Sequence, residues 1–296
     1  MGKSKMAGAH LCALFTCLIW GTTFIASKKL LLGGFNVFDI LFYRFLIGYA
    51  ALFAVTGKPL KFAGWKKEFW MCMAALFGVT LYFLGENMAL LLTSTGNVGV
   101  IVSTAPMFTA LLAFLFLKEE KPNIFFFVGF IIAMTGICFI SFQKNADAGI
   151  HLNGDLLALL AAFLWAVYTI IMKRCVSLKE NMLTTTRRIL FYGLVTMLPL
   201  SAIFGLPANP TLILKWEYLP NLLFLGLLAS ALCYATWNWT LRTLGAVKAS
   251  NYIYFIPVVT IVASAIFLKE KITFRILSGV ALAVLGLIIS ERKSKE

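Results

Sequence analysis

Ten charge-poor runs alternate with short polar stretches along the 296 residues. They fall near 7–27, 37–56, 69–92, 96–117, 123–143, 153–172, 182–204, 218–241, 247–268 and 273–290. A helix needs about 20 apolar residues to cross the hydrocarbon of a bilayer. It also satisfies its own backbone there, which a lone strand cannot do. Alternation at barrel spacing is absent. The pattern predicts an all-α integral membrane protein with ten transmembrane helices. The first run is too long for the apolar region of a signal peptide and lacks a small-residue cleavage site, so a retained helix is expected. Polar connections such as Gly57–Glu68 and Lys144–Gly154 are too short for a soluble domain. The tight links Thr93–Thr95 and Arg242–Ala246 predict that helix three pairs with four, and eight with nine, as antiparallel hairpins.

The pattern is written twice. Asn87, Pro106, Leu117, Lys118 and Glu119 reappear 151 residues later as Asn238, Pro257, Leu268, Lys269 and Glu270. Gly129 and Gly136 reappear 150 residues later as Gly279 and Gly286. Leu11, Ala13, Leu14, Trp20 and Lys28 match Leu156, Ala158, Leu159, Trp165 and Lys173 at a spacing of 145. The drift in spacing places small insertions in loops. Two five-helix repeats, 1–146 and 147–296, follow from this match. An odd number of spans turns the second copy upside down, and inverted repeats build substrate sites at the bilayer midplane.

Composition strengthens the membrane reading. The chain is 61% apolar and 13% charged, where soluble domains carry about 25% charged residues. The net charge of +14 invites a nucleic-acid partner. Its distribution argues against one. With the N-terminus inside, 16 of the 26 Lys and Arg lie in inner loops, 7 in outer ones and 3 within spans. Such a bias places both termini in the cytoplasm of a multi-pass plasma-membrane protein. The six cysteines form no CxxC pair, and His10 and His151 share no ligand spacing, so neither a disulfide framework nor a metal site is expected.

A few polar residues inside the spans carry the candidate chemistry. Glu86 is the one acid well inside a span. A charge at the bilayer centre costs about 2.5–3.5 kcal/mol on insertion scales, which argues for a role. Two readings stand: a proton, cation or substrate site, or a structural or gating ion pair with Arg44. Both residues sit roughly 9–10 Å below the outer surface if each helix rises about 1.5 Å per residue. The repeat mate of Glu86 is Trp237, and that of Arg44 is roughly Arg188. Arg187 and Arg188 then have no obvious intramembrane acid and are expected to snorkel to headgroups.

Trp20 and Trp165 are repeat mates, each on a face that also carries polar groups: Thr16 and Thr23 on helix one, Tyr168 and Thr169 on helix six. Tyr234, Trp237 and Asn238 form a similar face on helix eight, Tyr82 and Asn87 accompany Glu86, and Tyr254 stands before Pro257. Packing and a cavity wall both fit these residues. A wall of tryptophans would suit a side chain or hold an ammonium by cation–π attraction. Pro106 and Pro257 predict mid-span kinks, for packing or for lining a cavity. Gly129, Gly136, Gly279 and Gly286 predict close helix approach between repeats or between protomers. Glu119 and Glu270 read as helix-end caps.

Two segments, Asn87–Glu120 and Asn238–Lys271, resemble the Pro-centred signature of EamA-type transporters, ending in Leu-Lys-Glu and followed by a Gly-x6-Gly helix. Leu18-Ile19-Trp20-Gly21-Thr22-Thr23 and Phe163-Leu164-Trp165-Ala166-Val167-Tyr168 resemble the family's repeat openings. The resemblance covers about residues 6–290. It implies the drug/metabolite transporter superfamily, with helices one, three, four, six, eight and nine around a central cavity and five and ten peripheral. It implies a secondary transporter, not an enzyme, moving an amino acid or related amine by alternating access, with export as the expected direction. Uptake of a choline-like cation is the alternative, and a channel a more distant one. Proton coupling, sodium coupling, exchange and facilitated diffusion all fit, as does a homodimer. No cofactor is expected.

Overall fold

The computed structural model describes residues 3–93, 95–117, 122–141, 152–175, 181–205, 213–268 and 274–290. Its helices are α1 (Lys3–Leu32), α2 (Val37–Thr56), α3 (Trp65–Leu92), α4 (Thr95–Val102 and Ala105–Leu117), α5 (Ile124–Ser141), α6 (Leu152–Cys175), α7 (Met182–Phe204), α8 (Leu219–Leu244), α9 (Ala246–Asn251, Tyr252–Phe255 and Ile256–Leu268) and α10 (Phe274–Ser290). Six of them, α1, α2, α3, α6, α7 and α8, are long and apolar enough to cross a membrane by length and composition. Shorter apolar helices occupy Ala105–Leu117, Ile124–Gly136 and Leu277–Ser290. Large apolar side chains such as Leu11, Leu115, Ile131 and Ile266 point outward, as lipid requires. The fold is all-α, five helices per repeat. Lys118, Glu119, Lys144, His151, Lys269 and Glu270 lie outside the described residues.

Local chemistry sets several helix ends. Asn36 and Asp39 form a reciprocal capping box at the start of α2: each side chain accepts from the other's backbone N–H, at 2.9 and 2.8 Å. Gly57 closes the same helix with φ 61°, a left-handed conformation open to glycine, and its N–H bonds to the Phe53 carbonyl. At the head of α7, the Asn181 side chain accepts from Leu183 and Thr184.

The packing is two-fold and crosses between repeats. Helix α3 packs on α6, and its mate α8 packs on α1. Helix α4 packs on α6, and α9 on α1. The self-matched pairs are α2 with α7 and α5 with α10. This corrects the hairpin expectation. Helices α3 and α4 touch near their junction and then diverge, as do α8 and α9, because a helix from the opposite repeat fills the space between them. A tight link fixes only where two helices meet, and the larger apolar faces belong to the other repeat.

Glycine explains the α5–α10 pair. A Cβ on Gly129 would sit 2.5 Å from the Gly286 carbonyl oxygen and 2.5 Å from the Ser290 nitrogen. The two helices therefore meet backbone to backbone, and at this point the small residues join repeats.

The prolines do not kink a continuous helix. Each opens a new α-helical segment: Pro106 follows a turn at Ser103–Thr104, and Pro257 follows the 3₁₀ segment Tyr252–Phe255. In a first turn the missing N–H would have lacked a partner anyway. The repeats agree in part: Thr109 Oγ1 donates to the Ala105 carbonyl at 2.9 Å, while its mate Thr260 has both the Gly21 carbonyl of α1 at 2.7 Å and the Ile256 carbonyl at 3.0 Å in reach of one hydroxyl proton.

A feature absent from the sequence pattern is a π-helical stretch in each third helix, Leu76–Leu81 in α3 and Phe224–Leu232 in α8. Such widened turns free carbonyls from the usual ladder and concentrate at functional sites.

Candidate functional site

The two π-helical stretches frame the centre of the molecule. Gly78 and Ala229 are repeat mates, 151 residues apart. The Gly78 carbonyl accepts from the Tyr234 hydroxyl at 2.6 Å, and the Ala229 carbonyl accepts from Trp20 Nε1 at 3.0 Å. Each widened turn thus anchors an aromatic ring contributed by another helix. Gly78 also makes room for α6, since an added Cβ there would collide with the Tyr168 ring.

Between these anchors lies an aromatic cluster. The Trp20 and Trp165 rings meet edge to face, 5.2 Å between centroids and 89° between planes. Trp237 packs 5.1 Å from Trp20, and Tyr82 packs 5.0 Å from Trp165. Edge-to-face rings gain from their quadrupoles and hold orientation well.

A small cavity opens beside the cluster, lined by Trp20, Thr23 and Phe24 of α1, Arg44 of α2, Tyr82, Phe83 and Glu86 of α3, Val102 and Ala105 of α4, Trp165 of α6, and Ile253 and Ile256 of α9. Its volume is about 30 Å³, room for a water and little more. At that size the cavity is well below the volume of a typical ligand site. Helix α8 supplies no lining residue and α2 supplies Arg44, which alters the helix set that the family resemblance implied. Helices α5 and α10 stay peripheral.

Of the residues singled out from sequence, the structure brings Trp20, Thr23, Tyr82, Glu86, Trp165 and Arg44 to this cavity. It does not bring the others there. Tyr168 donates to Asn238 Oδ1 at 2.6 Å, and Asn238 Nδ2 donates to Thr186 at 3.2 Å, a relay tying α6, α8 and α7. Tyr234 and Trp237 pack behind the cavity wall. Asn87 bonds back to the Phe83 carbonyl at 2.9 Å. Tyr254 is buried in α9, away from the lining.

Arg44 and Glu86 form no ion pair, so of the two readings open from sequence the salt bridge is not what the structure shows. Arg44 Nε donates to Ser230 at 2.7 Å, and its guanidinium carbon lies 4.1 Å from the Phe83 ring centre. The guanidinium therefore lies over the Phe83 ring of α3. Nη1 and Nη2 of Arg44, Oε1 of Glu86 and Nε1 of Trp165 are all buried without a hydrogen-bond partner. Tyr82, one turn before Glu86, presents its hydroxyl to the same carboxylate. Unpartnered buried charge is costly, so these atoms mark a place where a ligand would gain.

The second arginine pair also departs from expectation. Arg187 and Arg188 do not snorkel; they are 1% and 8% exposed. Arg188 pairs with Glu68 and donates to the Lys61 carbonyl at 2.8 Å. Glu68 also accepts from Tyr192 and from the Ala63 backbone, each at 2.8 Å. Arg187 donates to Thr56 and, at 2.6 Å, to the Lys58 carbonyl. The α2–α3 loop is thereby latched to α7. In the sequence Glu68 stands at the polar edge of the third run, beside Lys66 and Lys67, with no signal that sets it apart from a solvated acid. The fold bends the loop over α7 and buries it.

Residues 7–142 and 152–291 each match the sequence pattern of the EamA-like transporter family. An uncharacterised transporter of Archaeoglobus fulgidus is 30% identical over 282 residues, covering 94% of this chain and 96% of its own. A second from that organism is 27% identical over 291 residues, covering 97% and 98%. The uncharacterised transporter YoaV of Bacillus subtilis is 29% identical over 282 residues, covering 92% and 93%. One solved crystal structure superposes with a TM-score of 0.74 at 20% identity, covering 96% of this chain and 97% of that one.

Proposed function

Because the chain belongs to the EamA-like transporter family, multi-pass membrane proteins that move small molecules, we propose that it exports a zwitterionic metabolite across the plasma membrane by alternating access. An amino acid or close relative is the substrate class. The repeats are taken as 1–146 and 147–296, with both termini cytoplasmic.

One observation carries the substrate reading. Arg44 and Glu86 face the same aromatic cavity with charged atoms left unpartnered. A carboxylate on Arg44 and an ammonium near Glu86 would satisfy both at once, while the Trp20–Trp165 wall takes the side chain. A choline-like cation would use Glu86 and the rings but leave Arg44 unpaired, so the zwitterion is favoured. Ligand sites usually enclose about 300–1,000 Å³, so admitting a substrate requires helices to separate. The broken helices α4 and α9 and the π-helical turns of α3 and α8 are the natural places for that movement.

The test is flux and competition in proteoliposomes, with an amino acid, the amino alcohol lacking its carboxylate, and the acid lacking its amine. Only the zwitterion should compete strongly. Glu86→Gln and Arg44→Gln should each abolish that preference. Trp165→Ala should weaken affinity by about 1–3 kcal/mol, from lost apolar area and cation–π attraction. Equal competition by the amino alcohol or by choline would overturn the zwitterion reading.

A further inference from the structure

The outer surface holds a second concave site, on the opposite side of α3 from the latch. Helices α3, α4 and α6 enclose an apolar groove of about 560 Å³, with Phe69, Met73 and Phe77 on one wall and Phe116, Phe163 and Val167 facing them. Phe69, Met73 and Phe77 are four residues apart, so they form one stripe. From Phe69 to Phe77 the stripe rises about 12 Å at ~1.5 Å per residue, close to one leaflet's share of a ~30 Å hydrocarbon core.

One end of the groove is basic. Arg174 and Trp70 line it there, and both also line an adjoining cleft of about 690 Å³ with Trp65, Lys66 and Lys67. Among the described residues, no acid lines either depression. The nearest one in sequence, Glu68, is turned inward and held by Arg188 and Tyr192. Trp65 is 84% exposed at the mouth, a position suited to the headgroup layer. Positive charge at the interface, continuous with a leaflet-deep apolar slot, complements a molecule with an anionic head and an acyl tail.

We infer that this groove is a specific site for an anionic phospholipid of the inner leaflet, its phosphate on Lys66 and Arg174 and one acyl chain between α3, α4 and α6. The bound lipid bridges the repeats, because α3 and α4 belong to the first and α6 to the second. Basic pockets between spans on the cytoplasmic side recognise such headgroups by charge. The groove distinguishes this site from the general attraction of a basic protein for an anionic membrane.

Native mass spectrometry and thermal unfolding of the full-length protein in neutral detergent test the inference. Added phosphatidylglycerol should remain bound through mild activation and raise Tm, whereas phosphatidylcholine should do neither. Lys66→Gln and Arg174→Gln should each weaken phosphatidylglycerol binding about fivefold, and the pair about 25-fold, as expected for single charges near the surface. Met73→Trp, which fills the groove and leaves every charge in place, should also weaken it. Lys215→Gln, on an exposed lysine at the other end of the bundle, should not. Equal binding of phosphatidylcholine, full stabilisation by inorganic phosphate alone, or an unchanged affinity in both Arg174→Gln and Met73→Trp would each overturn the inference.

Discussion

Replacing Glu68 with Gln keeps the shape of the latch and removes its charge. In the structure Glu68 takes the Arg188 ion pair, the Tyr192 hydroxyl and the Ala63 N–H on one carboxylate. Hydrogen bonds to a charged group contribute about 1.5–3 kcal/mol, against about 0.5–1.5 for neutral ones. Converting three of them costs roughly 3 kcal/mol, near the lower end of the 3–5 kcal/mol seen when a buried ion loses its partner. That corresponds to a shift of about 150-fold in the equilibrium between a state with this end latched and one with it open. The assay is the distance between spin labels on Lys58 and Met182, which sit on the loop and on α7, followed with thermal stability. Glu68→Gln should broaden the distance distribution and lower Tm. Adding Arg188→Gln should restore part of the loss, since removing both charges is milder than stranding one. A wild-type distance distribution together with strictly additive losses would refute the latch.

Two further perturbations probe the packing that positions the site. Tyr234→Phe and Trp20→Phe each strand one of the repeat-matched carbonyls, Gly78 and Ala229, so each should lower stability by about 1–3 kcal/mol; unfolding in denaturant that leaves either variant at the wild-type value would show that the π-helical turns need no aromatic anchor. Gly286→Leu drives a side chain into the α5 backbone at Gly129, and overpacking there should cost about 1–3 kcal/mol or more. A wild-type Tm for that variant would mean that the two peripheral helices part freely.

The number of helices, the duplication and the family were all legible in the sequence, because they rest on patterns that a linear chain displays. Apolar length reports the span, and repeated spacing reports the copy. The matching of Trp20 with Trp165 as repeat mates was legible for the same reason, while their edge-to-face contact appears only in the fold. Partner choice was not legible. Equal depth put Arg44 and Glu86 within imaginable reach, yet depth says nothing about the direction of a side chain around its helix, and Phe83 and Ser230 claimed the guanidinium. Arg188 found Glu68 because the α2–α3 loop folds over α7 and brings the first turns of α3 with it, a contact between residues 120 apart in sequence. The prolines and the tight links identified where the chain turns. Only the packing of α1 and α6 between the diverging pairs decided what those turns would face, since the largest apolar surface available to each helix lay in the other half of the molecule.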